Sequence, residues 1–254
     1  MLLPRIIPVL LLSGKGLVKG VQFKDHKYVG DPINAVQIFN TKEVDELIFL
    51  DILATKEKRI PSLEVIQTIA DQCLMPFGVG GGITSLSEVR EILKAGAEKV
   101  SINTGVLENF SLIREVSETF GSQSIVISLD IKKNWLGKYQ VFTRCGSKAV
   151  SGSVTEIAKK AEEFGAGEIL LNNIDRDGMM EGYDLELLSE VCKSVTIPVI
   201  ASGGAGSYEH LKDGIVSGAS AVAAGSLFVF HGRRRAVLIS YPDVDQKETI
   251  TGQK

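Results

Sequence analysis

Eight short apolar runs punctuate the chain, at 5–11, 46–51, 76–79, 99–102, 124–129, 168–172, 198–201 and 221–224. Within them, apolar residues follow one another instead of alternating with polar ones. Strands of a parallel sheet covered by helices have this pattern, because both of their faces are buried. Between the runs lie stretches with apolar residues at helical spacing, such as 87–95 and 154–164. Eight strand–helix units in series predict an α/β chain closed into a single (β/α)8 barrel.

The runs also repeat. Glu46-Leu-Ile-Phe-Leu is echoed by Glu168-Ile-Leu-Leu-Asn, Pro76-Phe-Gly-Val-Gly-Gly-Gly by Pro198-Val-Ile-Ala-Ser-Gly-Gly, and Gly96-Ala-Glu-Lys-Val-Ser by Gly218-Ala-Ser-Ala-Val-Ala. Each pair lies 122 residues apart. One constant shift over three strands predicts two superposable half-barrels. The end of the chain departs from the pattern. Gly232 interrupts any helix early, and 236–241 reads as an extended apolar segment stopped by Pro242. The expectation is one domain over 1–254, with its barrel core at about 5–230 and an atypical segment at 231–254.

Composition narrows the function classes. A hydrophobic share of 44% with 23% charged residues is the ordinary mix of a globular domain. A net charge of −3 gives no attraction to nucleic acid or anionic lipid. Cys73, Cys145 and Cys192 lack CxxC spacing, and His26, His210 and His231 lack ligand spacing. They read as reduced thiols and structural histidines, so neither a metal nor a cofactor is expected. The apolar N-terminal run is too short to span a membrane and lacks the marks of a signal peptide. It reads as a buried first strand of a cytoplasmic protein.

Candidate chemistry gathers at strand ends. Gly80-Gly81-Gly82 follows the third strand and Ser202-Gly203-Gly204 the seventh. Glycines there let backbone N–H groups approach an anion. Asn103-Thr104 after strand four and Gly225-Ser226 after strand eight add small polar groups. The repeat thus predicts two phosphate sites on opposite sides of the barrel mouth. Asp130 ends strand five, Asp51 ends strand two, and Asp175 and Asp177 follow strand six with Gly178. Carboxylates at that face suit acid–base work, but Asp51 and Asp175 suit loop bracing equally. Arg5, Glu46, Lys99 and Glu168 begin strands one, two, four and six. They are either solvated strand ends or a ring of opposite charges at the other end of the barrel.

These stretches together resemble the cyclase subunit of imidazole glycerol phosphate synthase, the HisF family. The resemblance covers about 5–230. It rests on Lys19-Gly20, Phe49-Leu-Asp51-Ile52, Val79-Gly-Gly-Gly-Ile83, Lys99-Val-Ser-Ile-Asn-Thr104, Phe120-Gly-Ser-Gln123, Gly165-Ala-Gly-Glu-Ile-Leu-Leu171, Ile174-Asp-Arg-Asp-Gly178 and Ile200-Ala-Ser-Gly-Gly-Ala-Gly206. The resemblance implies a glutaminase subunit docked at the barrel bottom, with Arg5, Glu46, Lys99 and Glu168 as a gate for ammonia. It implies contacts to a phosphorylated small molecule from Lys19, Asp51, Gly81, Gly82, Asn103, Thr104, Gly178, Gly203, Gly204, Gly225 and Ser226. Asp130 and Asp177 match acidic groups of the cyclase chemistry.

Two features depart from the family pattern. The family places a second essential aspartate at the end of strand one, where this chain has Leu11. Leucine can neither give nor take a proton. The atypical C-terminus is the other departure. Both resemble HisF-like proteins of surface-polysaccharide gene clusters, which work with a glutaminase and an ATP-using sugar amidotransferase. The expected function is therefore ammonia delivery for acetamidino modification of an N-acetyl sugar. The alternatives are a true cyclase of histidine biosynthesis and a scaffold that conducts nothing.

Overall fold

A computed structural model describes residues 3–232 and 234–252. Eight strands form the barrel: β1 (Arg5–Ser13), β2 (Leu47–Asp51), β3 (Phe77–Gly80), β4 (Lys99–Ile102), β5 (Ile125–Lys133), β6 (Glu168–Asn173), β7 (Val199–Ser202) and β8 (Ala221–Ala224). Each pairs in parallel with the next in chain order, and β8 pairs with β1 to close the ring. Closure leaves no open barrel edge.

Seven helices follow the first seven strands: α1 (Pro32–Thr41), α2 (Leu63–Ala70), α3 (Leu86–Lys94), α4 (Ser111–Phe120), α5 (Val154–Glu163), α6 (Leu185–Ser194) and α7 (Tyr208–Val216). Local sequence sets where several begin. Asp31 accepts from the N–H groups of Ile33 and Asn34, with Pro32 in the first turn of α1. Ser85 and Ser153 close capping boxes with Glu88 and Glu156. Apolar faces then pack onto the barrel, burying Phe39, Ile66, Ile69 and Ile92 completely. Each such side chain contributes roughly 1.5–3 kcal/mol.

The half-barrel repeat is visible in the geometry. β3 and β7, β4 and β8, and α3 and α7 have matching bounds, 122 residues apart. Gly96 and Gly218 share φ values of 111° and 109°. Asn103 and Gly225 share φ values of −108° and −106°.

A second, smaller cluster fills the barrel interior: Ile7, Val9, Leu11, Ile48, Val126, Leu170, Ile200, Ala221 and Ala223. Gly78 and Gly80 of β3, Ser101 of β4 and Ser128 of β5 take little space beside it.

Two hairpins rise from the strand C-termini. After β1 the chain pairs Gly16–Val21 with Lys24–Gly30. β5 overruns the barrel and is met by a return strand, Tyr139–Thr143.

The C-terminal end is atypical, as the sequence suggests, and holds one element the sequence hides. Phe230–His231 pairs briefly with Ala236–Val237. The chain then runs extended, Leu238 N–H donating to Val229 O at 3.0 Å and Ser240 N–H to Phe228 O at 3.0 Å. Beyond Pro242 an eighth helix, α8 (Val244–Thr251), starts at an Asp243 capping box and packs on α7. The detour delays the helix to Val244, well past Gly232, where the helical pattern in the sequence ends. Tyr241 anchors the detour, its buried hydroxyl donating to Ile6 O at 2.9 Å.

The loops after β6 and β7 touch through bare backbone. Gly204 has φ +122°, and a Cβ there would lie 2.2 Å from Gly182 O. Gly204→Ala should therefore cost about 2 kcal/mol or more in urea unfolding; a cost under ~0.5 kcal/mol, the size of a neutral surface change, would mean the approach is soft.

Candidate active site at the barrel mouth

The strand C-termini and their loops enclose a cavity of about 930 Å³. Lys19, Gly81, Gly82, Asn103, Thr104, Asp130, Asp177, Gly178, Gly203, Gly204, Gly225 and Ser226 all line it. Asp51 does not. Its carboxylate accepts from the N–H groups of Leu53 and Ala54 at 3.0 and 3.1 Å and pairs with Arg59 at 2.6 Å. Asp175 is likewise a brace, accepting from Lys133 N–H at 2.9 Å. Of the two roles open to these aspartates, the structure places both in loop bracing.

Asp130 sits at the end of the β5 wall. Burial pushes its carboxyl up to about 6, while a 3.0 Å hydrogen bond from Asn172 Nδ2 holds it down and the charge of Asp177 pushes it further up. A carboxyl poised there can hold or release a proton near neutrality. Asp177 faces it, paired at 2.9 Å with the ammonium of Lys19. Lys19 is buried, and it arrives there because the first hairpin folds over the mouth. Gln22 N–H donates to Asp177 O at 2.9 Å, and Gly178 lies so close to Gly20 that a Cβ would meet its carbonyl at 2.4 Å. The Lys19 stem crosses Gly225, where an added Cβ would lie 2.8 Å from Cε.

The two glycine pairs pack alike. Gly81 and Gly82 lie against the backbone of Asp51 and Arg59, and Gly203 and Gly204 against that of Asn173 and Gly182. The hydroxyls beside them differ. Thr104 Oγ1 accepts from Arg144 N–H at 3.0 Å and donates to Asn103 Oδ1 at 3.2 Å. Ser226 Oγ is buried and has no hydrogen-bond partner among the described residues.

Sequence reasoning missed Asn172 and His26, which also line the cavity. Asn172 stands next to strand six's apolar run, but only the β5–β6 register puts it opposite Asp130. His26 enters on the folded hairpin. Burial and then the neighbouring Lys19 charge lower its pKa.

Leu11 lines the cavity, and no residue of β1 is acidic. Asp130 therefore has no carboxylate facing it from β1.

At the opposite end, the four strand-start charges close a ring. The Arg5 guanidinium bonds both Glu46 and Glu168. The Lys99 ammonium reaches the same two carboxylates at 3.2 and 3.0 Å. Burial opposes the Arg5 charge, but the pull and hydrogen bonds of the two glutamates outweigh it, and its pKa lies above the ordinary value. Solvated strand ends are thus excluded for Glu46, which is 2% exposed.

Fold and site together are those of a closed parallel (β/α)8 barrel with a cavity at its mouth and a ring of charges at its base. The model of the histidine biosynthesis protein family matches residues 5–234. The chain belongs to that family. It is 53% identical to a Pseudomonas aeruginosa protein named "Putative imidazole glycerol phosphate synthase subunit hisF2", over 95% of this chain and 97% of the other. It is 47% identical to a Leptospira interrogans protein named "Putative imidazole glycerol phosphate synthase subunit HisF", over 98% and 99%. With the imidazole glycerol phosphate synthase subunit HisF of Alkaliphilus metalliredigens identity is 42%, over 91% and 92%. Within its family the chain is a HisF-like synthase subunit.

The raised Asp130 pKa has a stability consequence. Its protonated form favours the folded state, so that contribution is complete below about pH 4 and is lost as pH rises through about 6. Asp130→Asn should therefore gain on the unmodified protein across that window, approaching ~3 kcal/mol above it. Carboxyl ¹³C NMR should give Asp130 a midpoint near 6, moving higher in Asn172→Ala; a midpoint at the ordinary aspartate value would refute the assignment.

Proposed function

We propose that this chain receives ammonia from a glutaminase subunit docked at the strand-start end. The ammonia passes the ring of Arg5, Glu46, Lys99 and Glu168, traverses the barrel, and is released at the mouth. There it serves amidotransfer to an N-acetyl sugar, giving an acetamidino group, and an ATP-using sugar amidotransferase supplies the activation. The observation that carries this reading is Leu11. It stands in the cavity wall where the cyclase pattern needs an acid, while the ring and the mouth loops are kept.

Three further features support it. Between the ring and the mouth the barrel interior is packed with apolar and small side chains, among which neutral ammonia is favoured over ammonium. Leu3 and Leu74 lie 66% and 85% exposed just before β1 and β3, at the end where the glutaminase docks. Identity to the hisF2 protein, at 53%, exceeds the 42% to the Alkaliphilus HisF. At the mouth, Lys19 and Ser226 are the groups to hold a phosphoryl group of the ligand, with Gly203, Gly204 and Gly225 giving close backbone approach. Gly81, Gly82, Asn103 and Thr104 line the other side, and Asp177 and Gly178 position Lys19.

A second reading, the cyclase of histidine biosynthesis, is favoured by the retention of Asp130 and Asp177. Turnover separates the two. Supplied with ammonium salt and the bisphosphorylated ribosyl carboxamide intermediate, the isolated chain should form ~10²-fold less product than a cyclase, or none. Leu11→Asp should recover part of that rate. Robust turnover by the unmodified chain would establish the cyclase instead.

The conduit has its own check. Lys99→Ala opens one side of the ring, so glutamine hydrolysis and sugar amidation should fall out of their one-to-one ratio. A ratio unchanged from the unmodified complex would leave the scaffold role standing.

A further inference from the structure

The mouth carries a projection that lies outside the cavity chemistry. β5 runs past Asp130 to Lys133, and the chain returns through Tyr139–Thr143. The turn between them is braced from within. Asn134 N–H donates to Lys138 O and Gly137 N–H to Asn134 O, both at 2.9 Å. Asn134 Oδ1 accepts from the N–H groups of Leu136 and Lys138 at 2.9 and 3.0 Å. The base is tied to the barrel, Tyr139 donating to Asp184 at 2.6 Å and Lys133 N–H to Asp175 at 2.9 Å. This stiff turn holds Trp135, the only tryptophan of the chain, 91% exposed beside Leu136 at 59%.

A second exposed pair, Val237 and Leu238, stands at 50% and 55% on the C-terminal strand pair. Arg235 ties that segment to the same rim, donating to Gly178 O at 2.9 Å. Arg233, the first of the three arginines in sequence, lies outside the described residues. Around the turn cations are in surplus, although Asp175 and Asp184 lie at its base. Residues 131–143 hold three lysines and no carboxylate, and Arg234 and Arg235 add to them, although the whole chain is at −3.

We infer that this rim is the docking surface for the enzyme that consumes the ammonia: a protein with an acidic face and an apolar pocket that receives the Trp135 indole. The inference rests on the delivery role proposed above. Ammonia released into open water takes up a proton and ceases to be a nucleophile, so an acceptor must seal the mouth. Rigid exposed aromatic side chains flanked by charge are what interfaces use as anchors, and the surplus of cations selects an acidic partner. The same surplus disfavours a second copy of this chain, whose rim would be equally basic. The strand-start end, with its own exposed leucines, is left to the glutaminase.

The test uses the three-protein assembly of this chain, its glutaminase and the sugar amidotransferase. Trp135→Ser should lower glutamine-driven amidation at least tenfold. Amidation driven by ammonium salt and glutaminase activation at the far end should both be unaffected. With 5-fluorotryptophan incorporated at the single tryptophan position, the ¹⁹F resonance should shift on adding the amidotransferase and stay in place on adding the glutaminase. If the amidotransferase makes no acetamidino product even from ammonium salt, the functional role itself is wrong. If it does, but Trp135→Ser transfers as well as the unmodified chain and the ¹⁹F signal does not move, the docking surface alone is wrong. Self-association that Trp135→Ser abolishes would assign the patch to a second copy and equally overturn the proposal.

Discussion

The parallel pairing of β8 with β1 makes a closed ring of eight strands that all point the same way. Everything functional depends on that closure. It brings residues from strands far apart in sequence onto one rim, and their counterparts at the strand starts onto the other. The rim at the strand ends gains a cavity with a proton-poised acid. The strand starts gain two cations and two carboxylates within bonding distance of each other. An open sheet of the same strands would leave Arg5 and Glu168, 163 residues apart, with no route to the contact they make.

The ring of charges is a poor device for stability. Buried ion pairs recover their desolvation cost only when every partner is kept, and apolar replacements often do as well. Each carboxylate here faces both cations, so losing one member leaves an uncompensated charge beside an apolar interior. Such an arrangement is expensive to keep unless its position matters. It occupies the strand-start layer of the barrel interior, directly beneath side chains that carry no charge.

The sequence made the barrel legible because two signals are local. Continuous apolar runs mark strands buried on both faces, and the shift of 122 residues recurs in the bounds of β3 and β7, β4 and β8, and α3 and α7. Asp130 was legible by position; the four strand-start charges could be located by position, but position left solvated ends and a closed ring equally open. What stayed hidden depends on distant contacts. Asp51 looks as available as Asp130 until Arg59 and two N–H groups are seen to occupy it. Asn172 acquires meaning only from the register that sets it against Asp130. His26 reaches the cavity by a hairpin whose fold-over no spacing reveals. The eighth helix hides behind a detour whose anchor, Tyr241, bonds a residue 235 positions away.

The two half-barrels have kept their backbone and parted in chemistry. Both glycine pairs press on the loop before them, and Asn103 and Gly225 share one backbone conformation. Yet the Thr104 hydroxyl both donates and accepts a hydrogen bond, while Ser226 Oγ has no partner among the described residues. The inward residues at the mouth ends of β1 and β5 differ more sharply, a leucine against a carboxyl raised to about 6. Leucine exchanges no proton, so acid–base capacity at the mouth rests on Asp130 and on the Asp177 that faces it. What the two halves place together at the mouth is a carboxyl raised by burial beside the paired Lys19 and Asp177, with the exposed Trp135 on the same rim.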